Sequence, residues 1–156
     1  MNKKEYSSKQ EKMVADYLEW HQVVGSGARP TFTGDVEGSE WLGECKTHVS
    51  PGHKILFDIN VLDKIVKEAS AKFKQPAYFV DDGSQRLSKT WVVCLDRDLS
   101  SNYTVEPYPL KHDSSKNLIF DHEELKSYLP EMGLFRLKLG QYNILLTSLE
   151  FFYYTL

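Results

Sequence analysis

A run of apolar residues at helical spacing lies between two segments that have the composition of β-strands. The apolar positions recur every three or four residues after the breaker Pro51-Gly52, at Ile59, Leu62, Val66, Ala69 and Phe73. This spacing predicts one buried face of a helix that ends before Pro76. The flanking segments, 35–47 and 77–80, are predicted strands, so the helix must pack against a sheet. The pattern predicts an α/β fold.

Two further features complete the predicted sheet. Gly38 and Ser39 are typical turn residues, and they predict that 35–47 folds into a β-hairpin. Thr90–Leu95 is rich in β-branched and aromatic residues, as is 77–80. We expect 77–80 and Thr90–Leu95 to be strands of the same sheet.

A first helix is predicted near the start of the chain. Ser8-Lys9-Gln10-Glu11 has the form of a capping box, and apolar residues follow it at helical spacing as far as about Trp20. The glycine-rich sequence 25–30 then breaks regular structure.

The last third of the chain predicts only short elements. They are a strand at 117–120, a helix capped by Asp121 that ends near Pro130, and a strand at Leu134–Leu139. The aromatic and apolar segment 142–156 suits a packed strand, a helix or a dimer surface.

The overall composition favours one domain of ordinary globular character. The chain has 156 residues, of which 41% are hydrophobic and 26% are charged, so it can bury one sizeable core but hardly two. The net charge of −3 argues against a protein that coats nucleic acid without specificity. It does not exclude a nuclease, because carboxylates that bind metal add to the acidic count.

The sequence also bears on where the protein works. Residues 1–12 lack the apolar stretch of a secretory signal, and the longest apolar stretches fall short of the roughly 20 residues that span a bilayer. We therefore expect no membrane partner and a cytoplasmic location. Cys45 and Cys94, each in an apolar segment, are predicted to be buried free thiols.

Three charged residues of the hairpin have the makings of a hydrolytic site. Side chains alternate along a strand, so Glu44 and Lys46 share one face. Asp35, if it begins the neighbouring strand, can approach Glu44 across the hairpin. Two close carboxylates repel each other unless a cation lies between them, and oxygen ligands suit Mg²⁺ or Mn²⁺.

These groups match what phosphodiester hydrolysis requires. Asp35 and Glu44 would bind the metal, with the carbonyl of Cys45 completing its coordination. Lys46 would orient or deprotonate the attacking water, or neutralise the scissile phosphate. An isolated Glu-x-Lys is more often an exposed ion pair on an amphipathic strand, and the surrounding sequence decides between these interpretations.

The surrounding sequence resembles the PD-(D/E)XK nuclease superfamily. Asp35 matches the first acid of the motif, Glu44-Cys45-Lys46 matches its (D/E)-X-K, and Gly34 replaces the proline. The resemblance implies a restriction-endonuclease-like core with a central mixed β-sheet flanked by helices, spanning about 5–96. Residues 97–156 would extend this core within a single nuclease domain, 1–156.

Within that superfamily, the N-terminal part resembles the Holliday junction resolvases of archaea and phages. These place a glutamate on the first helix and a Gly-Ser-Gly loop before the first acid, positions that Glu11 and Gly25-Ser26-Gly27 occupy here. The resemblance implies an Mg²⁺-dependent endonuclease acting on DNA, including branched DNA, with Glu11 as a further catalytic residue. It also implies a homodimer, for which 151–156 is a candidate interface. Glu11 has a second interpretation, as part of the capping box.

Several polar residues near this face are candidates for contacts with nucleic acid. They are Ser26, Arg29, His48 and Lys54; the glycines around Ser26 would let backbone N–H groups approach a phosphate. Each is also compatible with a simple turn or a solvated charge. His48 and His53 have no further clustered ligand in the sequence, so no zinc site is expected. Four lysines, Lys64, Lys67, Lys72 and Lys74, are predicted to form the solvent face of the second helix, with contact to a DNA backbone as the less favoured alternative.

Three alternatives to a junction-resolving nuclease remain. The first is a restriction-like or repair nuclease that acts on duplex or single-stranded DNA. The second is a nucleic-acid-binding module that has this fold but no catalysis. The third is a structural protein in which the motif is coincidental.

Overall fold

A computed structural model describes residues 3–23, 34–99, 103–109, 113–128 and 133–156. Five α-helices are present in these residues: α1 (Lys3–Leu18), α2 (Ile59–Ala71), α3 (Asp96–Leu99), α4 (His122–Tyr128) and α5 (Leu149–Thr155). The strands are β1 (His21–Gln22), β2 (Val36–Glu37), β3 (Trp41–Thr47), β4 (Lys54–Asp58), β5 (Gln75–Asp81), β6 (Thr90–Leu95), β7 (Val105–Pro107), β8 (Asn117–Asp121), β9 (Leu134–Leu139) and β10 (Tyr142–Ser148). None of the helices in the described ranges is long and apolar enough to cross a membrane.

The strands form a central mixed sheet, which confirms the predicted α/β class. Eight strands lie in the order β1-β2-β3-β5-β6-β10-β9-β7, while β4 and β8 form a separate antiparallel pair. The β3/β5 and β7/β9 pairs are parallel, and the other pairs of the large sheet are antiparallel. The parallel β3/β5 pair is possible because α2 lies in the crossover between the two strands.

Apolar side chains cover both faces of this sheet. Leu62 and Ile65 of α2 pack with Leu42 of β3 in one cluster of buried residues. Val14 of α1 packs with Trp41 of β3 in the other. Alternate residues of β3 therefore face opposite clusters, as predicted, and Glu44 and Lys46 share the parity of Leu42 on the α2 side.

The second helix matches its prediction except at its end. Asp58 caps it by accepting a hydrogen bond from the Asn60 backbone N–H at 2.7 Å. The prediction that Phe73 lies on its buried face is wrong, because the helix ends at Ala71 and the Phe73 side chain is 98% exposed. Phe73 has a φ of 58°, which turns the chain away before β5 begins.

The first helix begins earlier than predicted. Because α1 starts at Lys3, Ser8 and Glu11 lie inside the helix and the capping-box interpretation is wrong. The helix ends at Leu18, after which Glu19 adopts a φ of 60°.

The hairpin and most other predicted strands are confirmed. Val36 pairs with Gly43, and the turn closes with a bond from the Gly38 N–H to the Trp41 carbonyl at 3.0 Å. The strand β4 was not predicted, and it pairs with β8, which was.

The open question of segment 142–156 is resolved by the structure. It forms strand β10 and then helix α5, which Ser148 caps by accepting a bond from the Phe151 N–H at 3.1 Å. Helix α4 follows Asp121 as predicted, while Pro130 lies outside the described residues. Cys45 and Cys94 are buried free thiols, as predicted.

Candidate active site

The β2–β3 hairpin brings Asp35 beside Glu44. The Asp35 N–H donates to the Gly43 carbonyl at 2.8 Å, and its Oδ2 accepts from the Cys45 N–H at 2.9 Å. Asp35 is thereby bonded to the residues on both sides of Glu44. This confirms the predicted approach of the two acids across the hairpin.

The residue before Asp35 has to be glycine in this conformation. Gly34 has a φ of 65°, and a Cβ there would lie 2.9 Å from Leu42 Cγ and 3.0 Å from the Gly43 carbonyl oxygen. A proline, whose ring fixes φ near −65°, could not adopt this backbone. The replacement of the motif's proline thus has a local structural cause.

The carboxyl group of Glu44 is almost completely buried. Its side chain is 3% exposed, and burial raises its pKa to about 7, helped by the charge of Asp35 and opposed by Lys64 and Lys46. Oε1 lies 3.4 Å from Lys64 Nζ and 3.6 Å from Lys46 Nζ. Oε2 is buried and has no hydrogen-bond partner in the described part of the chain. One oxygen is therefore held by two ammonium groups, and the other is unpaired among the described residues.

Glu11 joins the two acids from helix α1. Its pKa is raised to about 7, mainly by partial burial and then by the charges of Asp35 and Glu44, against a hydrogen bond with Gln22 and the charge of Lys46. Because these charges act on one another, the three carboxyl groups form one electrostatic unit. Glu11 therefore interacts electrostatically with the hairpin acids, and its catalytic role stays a prediction.

The neighbouring residue, Gln10, explains how α1 reaches this place. Its Nε2 donates to the Lys46 carbonyl at 2.8 Å, and its Oε1 accepts from Thr47 Oγ1 at 3.0 Å. Gln10 is fully buried, so both bonds are shielded from water. They fix α1 to the end of β3 and set Glu11 beside the hairpin.

Two residues of α2 belong to the site and were missed by sequence reasoning. Lys64, predicted to be a solvated charge, contacts Glu44, and Glu68 is 3% exposed and interacts electrostatically with it. Glu68 Oε2 also accepts a bond from the Gly34 N–H at 3.0 Å. The sequence did contain a signal for Glu68. It follows the buried Ile65 by three residues and Lys64 by four, and residues at these spacings share one face of a helix.

The structure gives less support to the predicted contacts with nucleic acid. Ser26 and Arg29 lie outside the described residues. Lys54 pairs with Asp121 across the β4/β8 pair at 3.1 Å. The His48 N–H donates to the Asp81 carbonyl at 3.0 Å, and His53 Nδ1 lies 3.9 Å from Asp82 Oδ2. The partners in these contacts are Asp121, Asp81 and Asp82. None of them is one of the three site acids, Glu11, Asp35 and Glu44.

The donor types at the site suit a hard divalent cation, although the side chains are not arranged around one. Within the described ranges, no group of three or more His, Cys, Asp or Glu side chains is placed so that it could hold a metal ion. The available donors are the Glu44 Oε2 atom and the carboxylates of Asp35 and Glu11. Oxygen donors of this kind bind Mg²⁺ and Mn²⁺.

Comparison with known proteins adds no relative from which a function could be transferred. No family model, no curated protein and no solved structure matches the chain.

Proposed function

We propose that this protein is a metal-dependent DNA endonuclease that hydrolyses phosphodiester bonds. The observation that carries the proposal is the buried carboxyl group of Glu44, whose Oε2 has no hydrogen-bond partner in the described chain. A buried polar atom in that state costs roughly 1–3 kcal/mol, so it is better explained by a ligand than by packing. The adjacent acids Asp35 and Glu11 make a cation the ligand that fits.

The order of the elements supports the same proposal. Helix α1, the antiparallel strands β1, β2 and β3, helix α2, and β5, a strand parallel to β3, occur in this order along the chain, with β4 inserted between β3 and α2. This is the order implied by the resemblance to the PD-(D/E)XK superfamily. The restriction-endonuclease-like core is therefore part of the proposal.

Each residue of the site has a distinct chemical role in this proposal. Asp35, Glu44 and the carbonyl of Cys45 would bind Mg²⁺ or Mn²⁺, which supplies acidified water and neutralises charge on the phosphate. Glu11 adds negative charge beside them. Lys46, whose side chain is 51% exposed, can orient the attacking water or donate to a phosphate oxygen.

The proposed substrate is DNA, including branched DNA of the four-way junction type. This finer assignment depends on Glu11 and on the sequence Gly25-Ser26-Gly27, whose structure is outside the described residues. Symmetric cutting of two strands calls for a two-fold homodimer. A restriction-like or repair nuclease, or a non-catalytic nucleic-acid-binding module, is the alternative.

One experiment tests the activity directly. The purified protein is incubated with junction, flap, duplex and single-stranded DNA, in Mg²⁺, in Mn²⁺ and in a chelator. We expect cleavage only with metal, and its loss in Asp35→Asn and Glu44→Gln. Asp16→Asn is the matched control, because Asp16 is an exposed acid that pairs only with Lys12 among the ion pairs found. Full cleavage by both site variants would contradict the proposal.

A further inference from the structure

We propose that Lys64 of α2 binds a phosphate of the substrate at this site and that Glu68 positions it. The inference rests on the proposed nuclease function and extends it to a helix that the sequence motif does not include. It gives the site a second lysine, contributed by a different element from Lys46.

The surroundings of Lys64 suit a group that receives an anion. Its Nζ lies 3.4 Å from Glu44 Oε1 and 3.6 Å from Glu68 Oε1. The Lys64 side chain is 55% exposed, whereas those of Glu44 and Glu68 are 3% and 2% exposed. The two acids therefore hold the ammonium group from the buried side, and its outer side faces solvent. An ammonium has three N–H donors, so two acids leave one for a phosphate oxygen.

The two lysines flank the same atom. Lys46 Nζ approaches Glu44 Oε1 at 3.6 Å from strand β3, and Lys64 approaches it from α2. Both side chains are about half exposed. Two ammonium groups beside one carboxylate oxygen form a positive rim next to the acids, where the negative backbone of DNA would pass.

Glu68 connects Lys64 to the first acid of the site. Its Oε1 faces Lys64, while its Oε2 accepts the bond from the Gly34 N–H at 3.0 Å. Gly34 directly precedes Asp35, so one buried carboxylate fixes both the ammonium group and the backbone beside Asp35. Glu68 is a positioning residue because it acts through Lys64 and Gly34.

The test compares Lys64→Met with Lys67→Met on the full chain. Lys67 lies on the same helix, is 75% exposed and pairs with Asp63, so its loss removes the same charge away from the site. We expect Lys64→Met to slow metal-dependent DNA cleavage by roughly 10²-fold or more, as the loss of one donor to developing charge usually does. DNA affinity in Ca²⁺, followed by fluorescence anisotropy against salt concentration, should lose about one unit of its logarithmic salt slope. Lys67→Met should change neither quantity.

Further variants separate a phosphate contact from a structural ion pair. Lys64→Arg retains the charge and should recover much of the cleavage and the salt slope. Lys64→Gln retains hydrogen bonding to the two acids and should fold, yet cleave as slowly as Lys64→Met. For Glu68, Gln can still accept the Gly34 bond and Ala cannot, so Glu68→Ala should slow cleavage more than Glu68→Gln.

The outcomes distinguish this inference from the proposed function. Cleavage and salt slope of Lys64→Met and Lys64→Gln equal to those of Lys67→Met would overturn the role of Lys64 and leave the nuclease standing. Absence of cleavage and of DNA binding by the unaltered protein would overturn both.

Discussion

At the scale of single residues, the buried acid Glu44 links stability to pH. A carboxyl group whose pKa is raised from 4.5 to about 7 on folding stabilises the fold most below pH 4.5 and loses that contribution as pH rises through 7. We expect metal-free Glu44→Gln to exceed the unaltered protein in unfolding free energy by about 1–3 kcal/mol at pH 8. The gain should vanish at pH 5. Urea denaturation at both pH values measures it, and an equal effect at pH 5 and pH 8 would contradict the assigned pKa.

The same ionisation should control metal binding. Glu11 and Glu44 both have pKa values raised to about 7, so below that pH a proton competes with a cation for the site. We expect Mg²⁺ affinity to increase between pH 6 and pH 8, with proton release that is largest at the acidic end. Calorimetric titration in buffers of different ionisation enthalpy measures both. A pH-independent affinity would place the metal elsewhere, and Asp16→Asn serves as the control variant.

The backbone at Gly34 predicts that a proline, the residue of the PD-(D/E)XK motif at this position, would destabilise this protein. Restoring the motif's proline with Gly34→Pro requires a φ near −65° where the chain has 65°, and it removes the N–H that Glu68 accepts. We expect a loss of roughly 2–5 kcal/mol of stability from backbone strain and the unpaired acceptor, together with loss of cleavage. Gly52→Ala, at a positive φ of 90° with nothing within 4 Å of the added Cβ, is a control for strain alone. Unchanged stability in Gly34→Pro would show that this backbone adapts readily.

At the scale of elements, the Gln10 amide adds two hydrogen bonds to the apolar packing of α1 on β3. Gln10→Ala removes one hydrogen-bond partner from the Lys46 carbonyl and one from the Thr47 hydroxyl, which also bonds Asp81. We expect a loss of about 1–3 kcal/mol in unfolding free energy, and slower cleavage because Glu11 is no longer held at the hairpin. Thermal denaturation and the cleavage assay measure the two effects. The neighbouring exposed Lys9→Ala should be neutral in both, and equal behaviour of the two variants would remove the assigned role of Gln10.

The elements also show which parts of the fold were accessible to sequence reasoning. Helix α2 was predicted from its apolar periodicity, which reports burial directly, and strands β5 and β6 from their β-branched and aromatic composition. The end of α2 was misjudged at Phe73, since periodicity does not register where the backbone leaves the helix. Gln10 was missed because a polar residue in a helix is ordinarily taken as exposed, and only its partners on β3 explain its burial.

The residues of the site could be predicted where their contacts are close in sequence, but not where they are distant in sequence. Asp35, Glu44 and Lys46 could be grouped because a hairpin relates its strands by a short turn. Lys64 and Glu68 reach the hairpin only because the β3–α2–β5 crossover folds α2 back over the sheet. Helical spacing places Glu68 on the buried face of α2, but it does not show which strand residues that face meets.

At the scale of the whole molecule, the exposed part of the C-terminal helix α5 is the candidate dimer surface. Phe151 and Phe152 of the predicted interface 151–156 are buried within the chain, whereas Tyr153, Tyr154 and Leu156 are 42, 62 and 49% exposed. If the proposed homodimer uses this surface, Tyr154→Ser with Leu156→Ser should shift the protein to a monomer. Light scattering after size-exclusion chromatography measures this. Phe73→Ser is the control, since Phe73 is more exposed but lies in the turn between α2 and β5.

Strand β10 enters the large sheet between β6 and β9, which has a consequence for how the chain is made. Every described residue of the candidate site, from Glu11 to Glu68, is synthesised before β10 leaves the ribosome. Until then β6, whose six residues are all buried in the finished fold, keeps one side of its backbone unpaired. Such an unpaired apolar edge can form backbone hydrogen bonds with strands of other nascent chains, which promotes aggregation. The proposed nuclease core, 5–96, is therefore expected to aggregate unless the later strands of the same polypeptide close its sheet.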